Sequence, residues 1–392
     1  MDLVLETGAA SDLEGLGRAW SAHRSFAFAH SVSPVAHDWW QQTFSRLPAA
    51  WREGHFALLT SGSTGTPKLI VGEKGRTLAL VEKIHAAQRL DAVRSVVLAL
   101  PLSYSYSFVN QWLWSVRAGV PLVHTRGLAD PARLLDVLSD SPASMLCLVG
   151  SLVPLLRGVI APGRCFDHVQ RLNFAGGPFP QASLAWLREV FPHAEIFNNY
   201  GCTEALPRIA VRPAADSDDA ACIGHPLPGI ELRSGAGGSL CFRSPHSAVG
   251  IAAPEGPHTF ADGEWIATGD LGDVASDGRW HLQGRASEVF KRYGEKVSLT
   301  ALLAAVRGVW PASAAFYMDS TPGEPAHVLA LSPAPGPDEV RALLGTLRKS
   351  FRRAHWPVRI ESLPAIPLLP NGKPDARAIA ADPARQVVWR QF

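Results

Sequence analysis

The 392-residue sequence predicts an α/β fold: a large layered α/β N-terminal domain that includes a small β-rich subdomain, followed by an α+β C-terminal unit. Helix-like and strand-like segments alternate between residues 75 and 200, which is typical of layered α/β folds. From about residue 220, short apolar segments are interrupted by glycine and proline, which indicates a small β subdomain. From about residue 288, helix and strand patterns mix again, so we predict domains at 1–286 and 287–392.

The alternating region predicts a defined order of elements. Apolar residues at near-helical spacing predict helices at residues 75–90, 108–118, 130–140 and 182–190. Apolar runs predict strands at 94–100, 120–124, 145–149, 170–174 and 194–197. The C-terminal unit is predicted to contain helices at 299–306 and 337–353 and strands at 314–318 and 328–331. Ser276, Asp277 and Gly278 indicate a hairpin, whereas residues 1–50 show only short helical patterns with aromatic residues.

Residues 58–68 read LLTSGSTGTPK, with apolar sequence running into the segment and following it. We predict a strand, a polar loop and a second strand. Backbone N–H groups with little side-chain bulk, several hydroxyls and Lys68 suit a polyphosphate. A solvated hairpin loop is the alternative from composition alone. The Walker pattern is excluded, because Gly65 is followed by Thr-Pro-Lys and no Ser or Thr follows Lys68.

Composition limits the class of protein. With 47% hydrophobic and 18% charged residues, the chain is an ordinary globular protein, and its net charge of +2 gives no general case for nucleic acid or a membrane surface. Five scattered cysteines favour a reducing cytoplasm over a disulfide framework. The acidic N-terminus lacks the order of a signal peptide, and no apolar run reaches about 18 residues. We therefore expect a cytoplasmic protein without a membrane span.

Five ordered motifs resemble the acyl-adenylate-forming ligases, which include acyl-CoA synthetases, peptide-synthetase adenylation domains and luciferases. The motifs are residues 60–68, residues 198–204 (NNYGCTE), residues 268–270 (TGD), Gly284-Arg285 with Lys291 and Gly294, and residues 370–373 (PNGK). The resemblance implies that a carboxylate attacks the α-phosphate of ATP, giving acyl-AMP and pyrophosphate, and that a thiol then displaces AMP. It implies ATP and Mg²⁺ as cofactors, and a mobile C-terminal lid at 287–392.

The resemblance also implies the residues that bind nucleotide. They are Ser61, Gly62, Ser63, Thr64, Lys68, Ala175, Gly176, Gly177, Asn199, Tyr200, Gly201, Thr203, Asp270 and Arg285. The first loop and Lys68 resemble the β- and γ-phosphate contacts, and Thr203 the α-phosphate contact. Tyr200 resembles the residue that stacks on adenine. The glycine pair would let the adenine approach the backbone, although a tight turn is the alternative for those glycines alone.

The same resemblance implies the ribose, metal and catalytic residues. Asp270 resembles the carboxylate that binds the ribose hydroxyls, and Arg285 would reach the ribose or the phosphates. Glu204 resembles the Mg²⁺ ligand, in agreement with the preference of a hard dication for carboxylate oxygen. Lys373 resembles the catalytic lysine, a mobile point charge for the carboxylate–phosphate junction, so Lys373, Thr203 and Glu204 are the predicted catalytic residues.

The resemblance also implies an acyl pocket at Tyr104, Ser105, Tyr106 and Phe108, with packing of the same residues in a helical core as the alternative. No acidic residue lies there to pair with an α-ammonium group, so an α-amino acid is disfavoured. Residues 292–299 (RYGEKVSL) resemble the short ligases of aryl-polyene pigment synthesis, which load a hydroxyaryl acid such as 4-hydroxybenzoate onto an acyl carrier protein. The alternatives are an acyl-CoA synthetase, a non-catalytic nucleotide-binding module and a P-loop phosphotransferase.

Two segments depart from the family pattern. The sequence before the first motif is short, which implies an open flank or one covered by forming a homodimer. At the expected acidic hinge position the sequence has Ser287, followed by Glu288.

The lid also carries Arg348, Lys349, Arg352 and Arg353. These cations form either a solvated face or a dock for an acidic partner, namely an acyl carrier protein or coenzyme A.

Overall fold

The computed structural model describes residues 1–8, 11–31, 35–61, 67–319 and 323–391. Within these ranges the chain is a mixed α/β protein whose strands form five sheets, and the predicted fold class is confirmed. None of the helices in these ranges is both long and apolar enough to cross a membrane.

The first sheet begins at the N-terminus. Its elements, with the helices between them, are β1 (Asp2–Glu6), α1 (Ser11–Ser21), β2 (Phe26–His30), α2 (His37–Ser45), β3 (His55–Ser61), β4 (Pro67–Glu73) and α3 (Lys74–Gln88). Strands β1, β2 and β3 are parallel, and β4 is antiparallel to β3. The two strands predicted on either side of the polar loop are confirmed. Strands β1 and β2 were not predicted. In β2 the reason is that Phe26, Ala27, Phe28 and Ala29 are all buried and show no alternation.

The second sheet is formed by the strands of the alternating region. The strands and helices of this region follow one another in the predicted order. They are β5 (Ser95–Leu98), α4 (Ser105–Ser107), a π-helix (Phe108–Leu113), α5 (Trp114–Ala118), β6 (Leu122–His124), α6 (Pro131–Asp140), β7 (Ser144–Val149), α7 (Val153–Val159), β8 (Val169–Ala175), α8 (Leu184–Val190), β9 (Glu195–Tyr200) and β10 (Ala210–Pro213). The strand order is β10-β9-β8-β7-β5-β6, and only β10 is antiparallel to its neighbour. The carboxyl ends of β5, β7, β8 and β9 therefore meet at one edge.

Short antiparallel strands follow, as predicted. They are β11 (Cys222–Gly224), β12 (Glu231–Ser234), β13 (Ser239–Arg243), β14 (Gly250–Ala253), β15 (Gly256–Thr259), β16 (Ile266–Val274) and β17 (Trp280–Arg285). Strands β14 and β15 extend the first sheet beside β4, and the others form the third sheet. The predicted hairpin joins β16 to β17, where the Gly278 N–H donates to the Ala275 carbonyl at 2.9 Å.

The C-terminal part forms a hairpin and a four-stranded sheet. Its elements are β18 (Val289–Arg292), β19 (Glu295–Ser298), α9 (Leu299–Arg307), β20 (Ser313–Met318), β21 (His327–Ser332), α10 (Pro337–Ser350), β22 (Arg359–Ser362), α11 (Ala376–Ala381) and β23 (Gln386–Arg390). Leu329, Leu347 and Ile360 are fully buried where helix meets sheet. Helix α10 ends three residues earlier than predicted, because Phe351 has an extended backbone with φ −137° and ψ 148°.

The Glu6 carboxylate fastens the N-terminal strand to the segment before the predicted acyl pocket. Glu6 is buried, and its two oxygens accept hydrogen bonds from the backbone N–H groups of Leu102 (2.6 Å) and Ser103 (2.8 Å). These donors follow β5 and lie outside the described strands. A single carboxylate therefore satisfies two backbone donors and sets the start of the pocket segment.

We predict that Glu6→Ala lowers the free energy of unfolding by about 2 kcal/mol, because it leaves the buried Leu102 N–H and the half-buried Ser103 N–H without their acceptor. Urea denaturation monitored by tryptophan fluorescence measures the change. The matched control is Glu14→Ala, since the Glu14 side chain is 80% exposed. The control should change the free energy by no more than about 0.5 kcal/mol. Equal destabilisation by the two substitutions would contradict the role given to Glu6.

Candidate active site

The predicted site residues gather at the carboxyl edge of the second sheet. Ala175 ends β8 and Tyr200 ends β9, so the segments that follow these strands start side by side. The segment after β5 leads to Tyr104, and the segment after β7 leads to Ser151. Ligands of open α/β sheets bind at this edge, outside the carboxyl ends of the strands.

Thr203 and Glu204 lie in a short 3₁₀ turn directly after β9. The Glu204 carboxylate pairs with the Lys68 ammonium at 2.8 Å, which joins the second motif to the strand after the polar loop. The Thr203 hydroxyl lies 3.2 Å from the Ser105 hydroxyl. The structure thus brings together three predicted phosphate- or metal-contacting residues, Lys68, Thr203 and Glu204, and the pocket residue Ser105.

Tyr200, Asp270 and Arg285 form a second group. The Tyr200 hydroxyl donates to the Asp270 carboxylate at 2.9 Å, and the Arg285 guanidinium lies 3.5 Å from the other carboxylate oxygen. Asp270 and Arg285 are register partners on β16 and β17, so the third sheet delivers both to the end of β9. Burial raises the pKa of Asp270, while Arg285 and the Tyr200 hydroxyl oppose that shift.

Lys373 enters the same region from the C-terminal part of the chain. A Cβ atom built on Gly176 would lie 2.6 Å from the Tyr104 hydroxyl and 3.4 Å from Cε of Lys373. Gly176 also has φ +77°, so both its backbone conformation and its surroundings require glycine. The Lys373 side chain therefore lies against Gly176, beside Tyr104, within the electrostatic influence of Asp270 and Arg285.

Comparison with known proteins shows the family of the chain. Residues 25–251, more than half of the chain, match the protein family described as AMP-binding enzyme. The chain belongs to the AMP-binding enzyme family.

Individual relatives are distant. The chain is 25% identical over 363 residues to Delta-poly-L-ornithine synthetase of Acinetobacter baumannii (strain AB307-0294), covering 86% of this chain and 26% of that protein. It is 28% identical over 347 residues to the fatty acid–[acyl-carrier-protein] ligase ScoC of Streptomyces coeruleorubidus, covering 81% and 65%. The chain thus spans less than two thirds of the length of either relative.

Solved structures show the same fold. The anthranilate CoA ligase AuaEII, solved in complex with anthranoyl-AMP, matches with a TM-score of 0.70 at 16% identity, covering 92% of this chain and 78% of that one. At this identity the likeness concerns the fold alone.

Burial shifts the pKa values in this AMP-binding enzyme's site. It lowers the pKa of Lys373 from the usual lysine value of 10.5, an effect that nearby Arg285 reinforces and that Asp270 and Glu288 oppose. Burial also raises the pKa of Tyr104 to about 12, so its hydroxyl stays protonated at neutral pH. Each shift follows from the low dielectric around the group, which disfavours its charged form.

The remaining predicted residues are placed differently. The Asn199 amide is buried in a network, accepting from Gln88 at 2.6 Å and donating to Asn173 at 3.1 Å, so its nucleotide contact stays a prediction. A Cβ on Gly201 would collide with the Pro207 carbonyl oxygen, which explains this glycine by close backbone approach. A Cβ on Gly177 would meet nothing within 4 Å. Gly62, Ser63, Thr64 and the side chain of Ser61 lie outside the described residues.

The pocket residues divide into two sets. Tyr104 lies next to Gly176, and Ser105 lies next to Thr203. Tyr106 is buried behind them, with its ring 6.2 Å from that of Tyr104. Phe108 is fully buried and stacks on Phe56 at 5.0 Å, so it packs in the core as the alternative proposed.

Lys373 lies in a turn of residues 369–373, which we call the Lys373 turn. The contacts that hold this turn were not predicted from the sequence. The Ser151 hydroxyl donates to the Gly372 carbonyl at 2.6 Å, and a Cβ on Gly372 would lie 2.8 Å from Val149. The Asn371 side chain accepts from the Lys373 N–H at 3.1 Å. Nothing in the spacing of the motifs indicates Ser151, because its partner is 221 residues away.

We predict that Asp270→Asn weakens AMP binding by about tenfold or more, which corresponds to roughly 1.4 kcal/mol. The carboxylate between Tyr200 and Arg285 is the acceptor proposed for the ribose hydroxyls, and the amide replaces one acceptor oxygen by a donor. Isothermal titration with AMP measures the affinity. The control is Asp273→Asn on the same strand, an exposed residue whose carboxylate accepts from the Val274 N–H. Unchanged AMP affinity in the Asp270 variant would contradict the assignment.

Proposed function

We propose that the chain is an AMP-forming acid–thiol ligase. In the first step a carboxylate oxygen of the acid bonds to the α-phosphorus of ATP, and the bond to the bridging oxygen breaks, releasing pyrophosphate. In the second step a thiol sulfur bonds to the acyl carbon, AMP leaves with the electron pair, and the thiol gives up its proton. The products are a thioester and AMP.

One observation carries this proposal: Lys373, far along the chain, lies within the group formed by Gly176, Tyr104, Asp270 and Arg285. An ammonium group at this position can neutralise charge where carboxylate and α-phosphate meet. A loop lysine on a solvated surface would not lie among these groups. Its place beside the two residues proposed for the ribose supports a role in the adenylation step.

The residues present also fit Mg²⁺. Among the described residues, no group of three or more His, Cys, Asp or Glu side chains could hold a metal ion by itself. Mg²⁺ on a nucleotide needs only one or two carboxylates, because phosphate and water supply its other ligands. Glu204, with the Thr203 hydroxyl beside it, would hold the ion. When bound, Mg²⁺ would neutralise charge on the phosphates.

For the acid, we propose an aryl acid such as 4-hydroxybenzoate. Tyr104 supplies a flat wall beside Lys373, and the segment contains no acidic side chain for an α-ammonium group. A small or medium-chain acid with coenzyme A as acceptor is the enzyme alternative. A non-catalytic nucleotide-binding module is the alternative of another class, and the convergence of Lys373, Glu204 and Asp270 in one site argues against it.

We further propose that residues 287–392 act as a lid, with Ser287 and Glu288 at its base. In the proposed first step Lys373 contacts the carboxylate that is activated, so it would have to leave that carboxylate before a thiol could attack the acyl carbon. Transfer therefore requires the lid to withdraw. Residues 286–288 form a single 3₁₀ turn between β17 and β18, and the Glu288 carboxylate accepts from the Thr300 hydroxyl at 2.7 Å.

For the acceptor, we propose an acyl carrier protein, with coenzyme A second. Arg348 and Lys349 lie exposed in the last turn of α10, with Arg352 and Arg353 just beyond it. The early end of α10 means that these four cations do not share one helix face. Arg352 is already paired with Glu295 at 3.4 Å, so Arg348 and Lys349 are the better candidates for contact with an acidic partner.

We predict that Lys373→Ala slows adenylation by about 10²-fold or more, a loss of roughly 3 kcal/mol in transition-state stabilisation. Acid-dependent pyrophosphate release measures the first step, and single-turnover transfer from preformed acyl-AMP measures the second. Transfer should survive, because the lid withdraws Lys373 before it. The exposed lid residue Lys296 provides the control, as Lys296→Ala.

Two results would contradict this assignment. Equal loss of both half-reactions would show that Lys373 acts on the fold or the lid and not on the first step. Release of phosphate instead of pyrophosphate would favour a phosphotransferase, and nucleotide binding without turnover across aryl and fatty acids would favour the non-catalytic module.

We predict that Arg348→Glu combined with Lys349→Glu slows transfer to an acyl carrier protein by about tenfold while adenylation is nearly unchanged. Exposed charges of this kind act mainly on association rate. The wild-type rate should also fall as salt rises, because such charges are screened over about 8 Å at physiological ionic strength. Arg188→Glu, on an exposed face of α8, is the control. Faster transfer to coenzyme A, with no effect of the reversals, would favour the acyl-CoA synthetase.

A further inference from the structure

Arg208 is a buried cation that has no carboxylate partner in the part of the chain that the structure describes. Its side chain is only 1% exposed, and no described carboxylate lies within ion-pair distance. Its Nη2 group donates to the Asn110 side-chain oxygen. Its Nε and Nη1 groups have no hydrogen-bond acceptor among the described residues. Two charged donor nitrogens therefore stay unsatisfied in the interior, which is costly unless something pairs with them.

The other buried arginines show that this arrangement is unusual in the molecule. Arg171, Arg212 and Arg292 each donate to at least two backbone carbonyl oxygens. Those contacts explain them as residues that fasten neighbouring chain segments. Arg208 donates to no backbone carbonyl among the described residues, so packing of the chain does not account for it.

Arg208 lies next to the nucleotide motif in both sequence and space. It follows Glu204 by four residues, in a turn closed by a hydrogen bond from the Ile209 N–H to the Tyr200 carbonyl at 2.8 Å. Its guanidinium carbon lies 5.5 Å from the centre of the Tyr106 ring. The Tyr106 ring contacts that of Tyr104, whose hydroxyl adjoins Gly176 and Lys373. Two tyrosine side chains therefore connect Lys373 to Arg208.

The groups around Arg208 are polar but neutral. Asn110 lies in the π-helix, where its amide donates to the Tyr106 carbonyl at 2.9 Å, and π-helical segments are frequent at functional sites. Burial lowers the pKa of Arg208 to about 10, which leaves it protonated at neutral pH. Beside the Tyr106 side chain, whose hydroxyl favours the charged guanidinium, Arg208 thus keeps a positive charge and two N–H donors that no anion among the described residues takes.

We propose, resting on the proposed function, that Arg208 determines which acid is activated. The acid carries an oxygen acceptor at the end remote from the activated carboxylate, and Arg208 donates to it. An acid that lies along Tyr104 and Tyr106, with its carboxylate at Lys373, directs its far end towards Arg208. The acceptor is either a hydroxyl or a second carboxylate, because both offer lone pairs to a guanidinium.

The experiment measures acid-dependent pyrophosphate release with 4-hydroxybenzoate, terephthalate and benzoate. 4-Hydroxybenzoate and terephthalate carry an oxygen group opposite the activated carboxylate, and benzoate does not. For the wild-type enzyme, kcat/KM with at least one of these two acids should exceed that with benzoate by about 10²-fold, because benzoate leaves the buried donors unpaired. A preference for terephthalate identifies a second carboxylate as the acceptor, and a preference for 4-hydroxybenzoate identifies a hydroxyl. In Arg208→Met the kcat/KM of the preferred para-substituted acid should fall to within about threefold of the kcat/KM of benzoate, because the apolar side chain offers no donor.

Controls separate recognition from folding. Arg212→Met removes an equally buried arginine that contacts backbone carbonyls, and it should leave the ratio of kcat/KM values unchanged. Arg208→Lys keeps the charge and should restore part of the preference. If Arg208→Met does not fold, as judged by circular dichroism, the wild-type ratio and the Arg208→Lys ratio decide the question.

The outcomes distinguish this inference from the function on which it rests. If no acid in a wider panel of aryl and fatty acids gives pyrophosphate, the proposed function fails. If acids are activated but the wild-type enzyme has the same kcat/KM for benzoate, 4-hydroxybenzoate and terephthalate, the function stands and the inference about Arg208 is overturned. An unchanged ratio in Arg208→Met would overturn it as well.

Discussion

The candidate site depends on the close approach of the Lys373 turn to the carboxyl edge of the second sheet. Gly372, with φ +79°, lies so near Val149 that a Cβ atom would stand 2.8 Å from it. Gly176 admits the lysine side chain and the Tyr104 hydroxyl on the other side of the same edge. Among the described residues, the Ser151 hydroxyl supplies the side-chain hydrogen bond to the Gly372 carbonyl. Close backbone approach at Gly372 and Gly176, with one side-chain hydrogen bond from Ser151, therefore places Lys373 in the candidate site.

The same burial determines how charge behaves in the site. It lowers the pKa of Lys373 and raises that of Asp270, so each group is pushed towards its neutral form. Their proximity to each other opposes both shifts, because each charge then has an opposite charge nearby. A nucleotide and an acid would add negative charge beside Lys373 and Arg285. Binding of the proposed substrates would therefore favour the charged lysine that the proposed first step requires.

Much of the fold could be predicted because the decisive patterns are local. The strands on either side of residues 58–68, the helix at 74–88 and the strands ending at Ala175 and Tyr200 all follow from runs within a few residues. The motif order also predicted that Lys68, Glu204, Asp270 and Arg285 belong together, and the structure brings them together in two adjoining groups.

What the sequence could not supply was pairing between distant segments. The Glu6 carboxylate meets N–H groups 96 and 97 residues away, and strand β2 lacks the alternation that would mark it as a strand. Phe108 sits within a predicted pocket segment, yet the π-helix turns it into the aromatic core. Arg208 looks like any surface cation until the fold buries it. In each case tertiary packing determines where the residue lies, and the local sequence does not indicate it.

The turn at residues 200–209 joins the two halves of the site. It carries Tyr200, Thr203 and Glu204, which are proposed to contact the nucleotide and its metal, and it ends at Arg208. The Ile209 N–H closes it against the Tyr200 carbonyl. A backbone shift that moved Arg208 would therefore also move the groups proposed for phosphate and metal. If Arg208 contacts the acid as proposed, changes at the side chains of Tyr104, Tyr106, Asn110 and Arg208 could alter acid specificity while the backbone of the turn stays fixed. The proposed nucleotide contacts would then not need to move when the proposed acid contacts change.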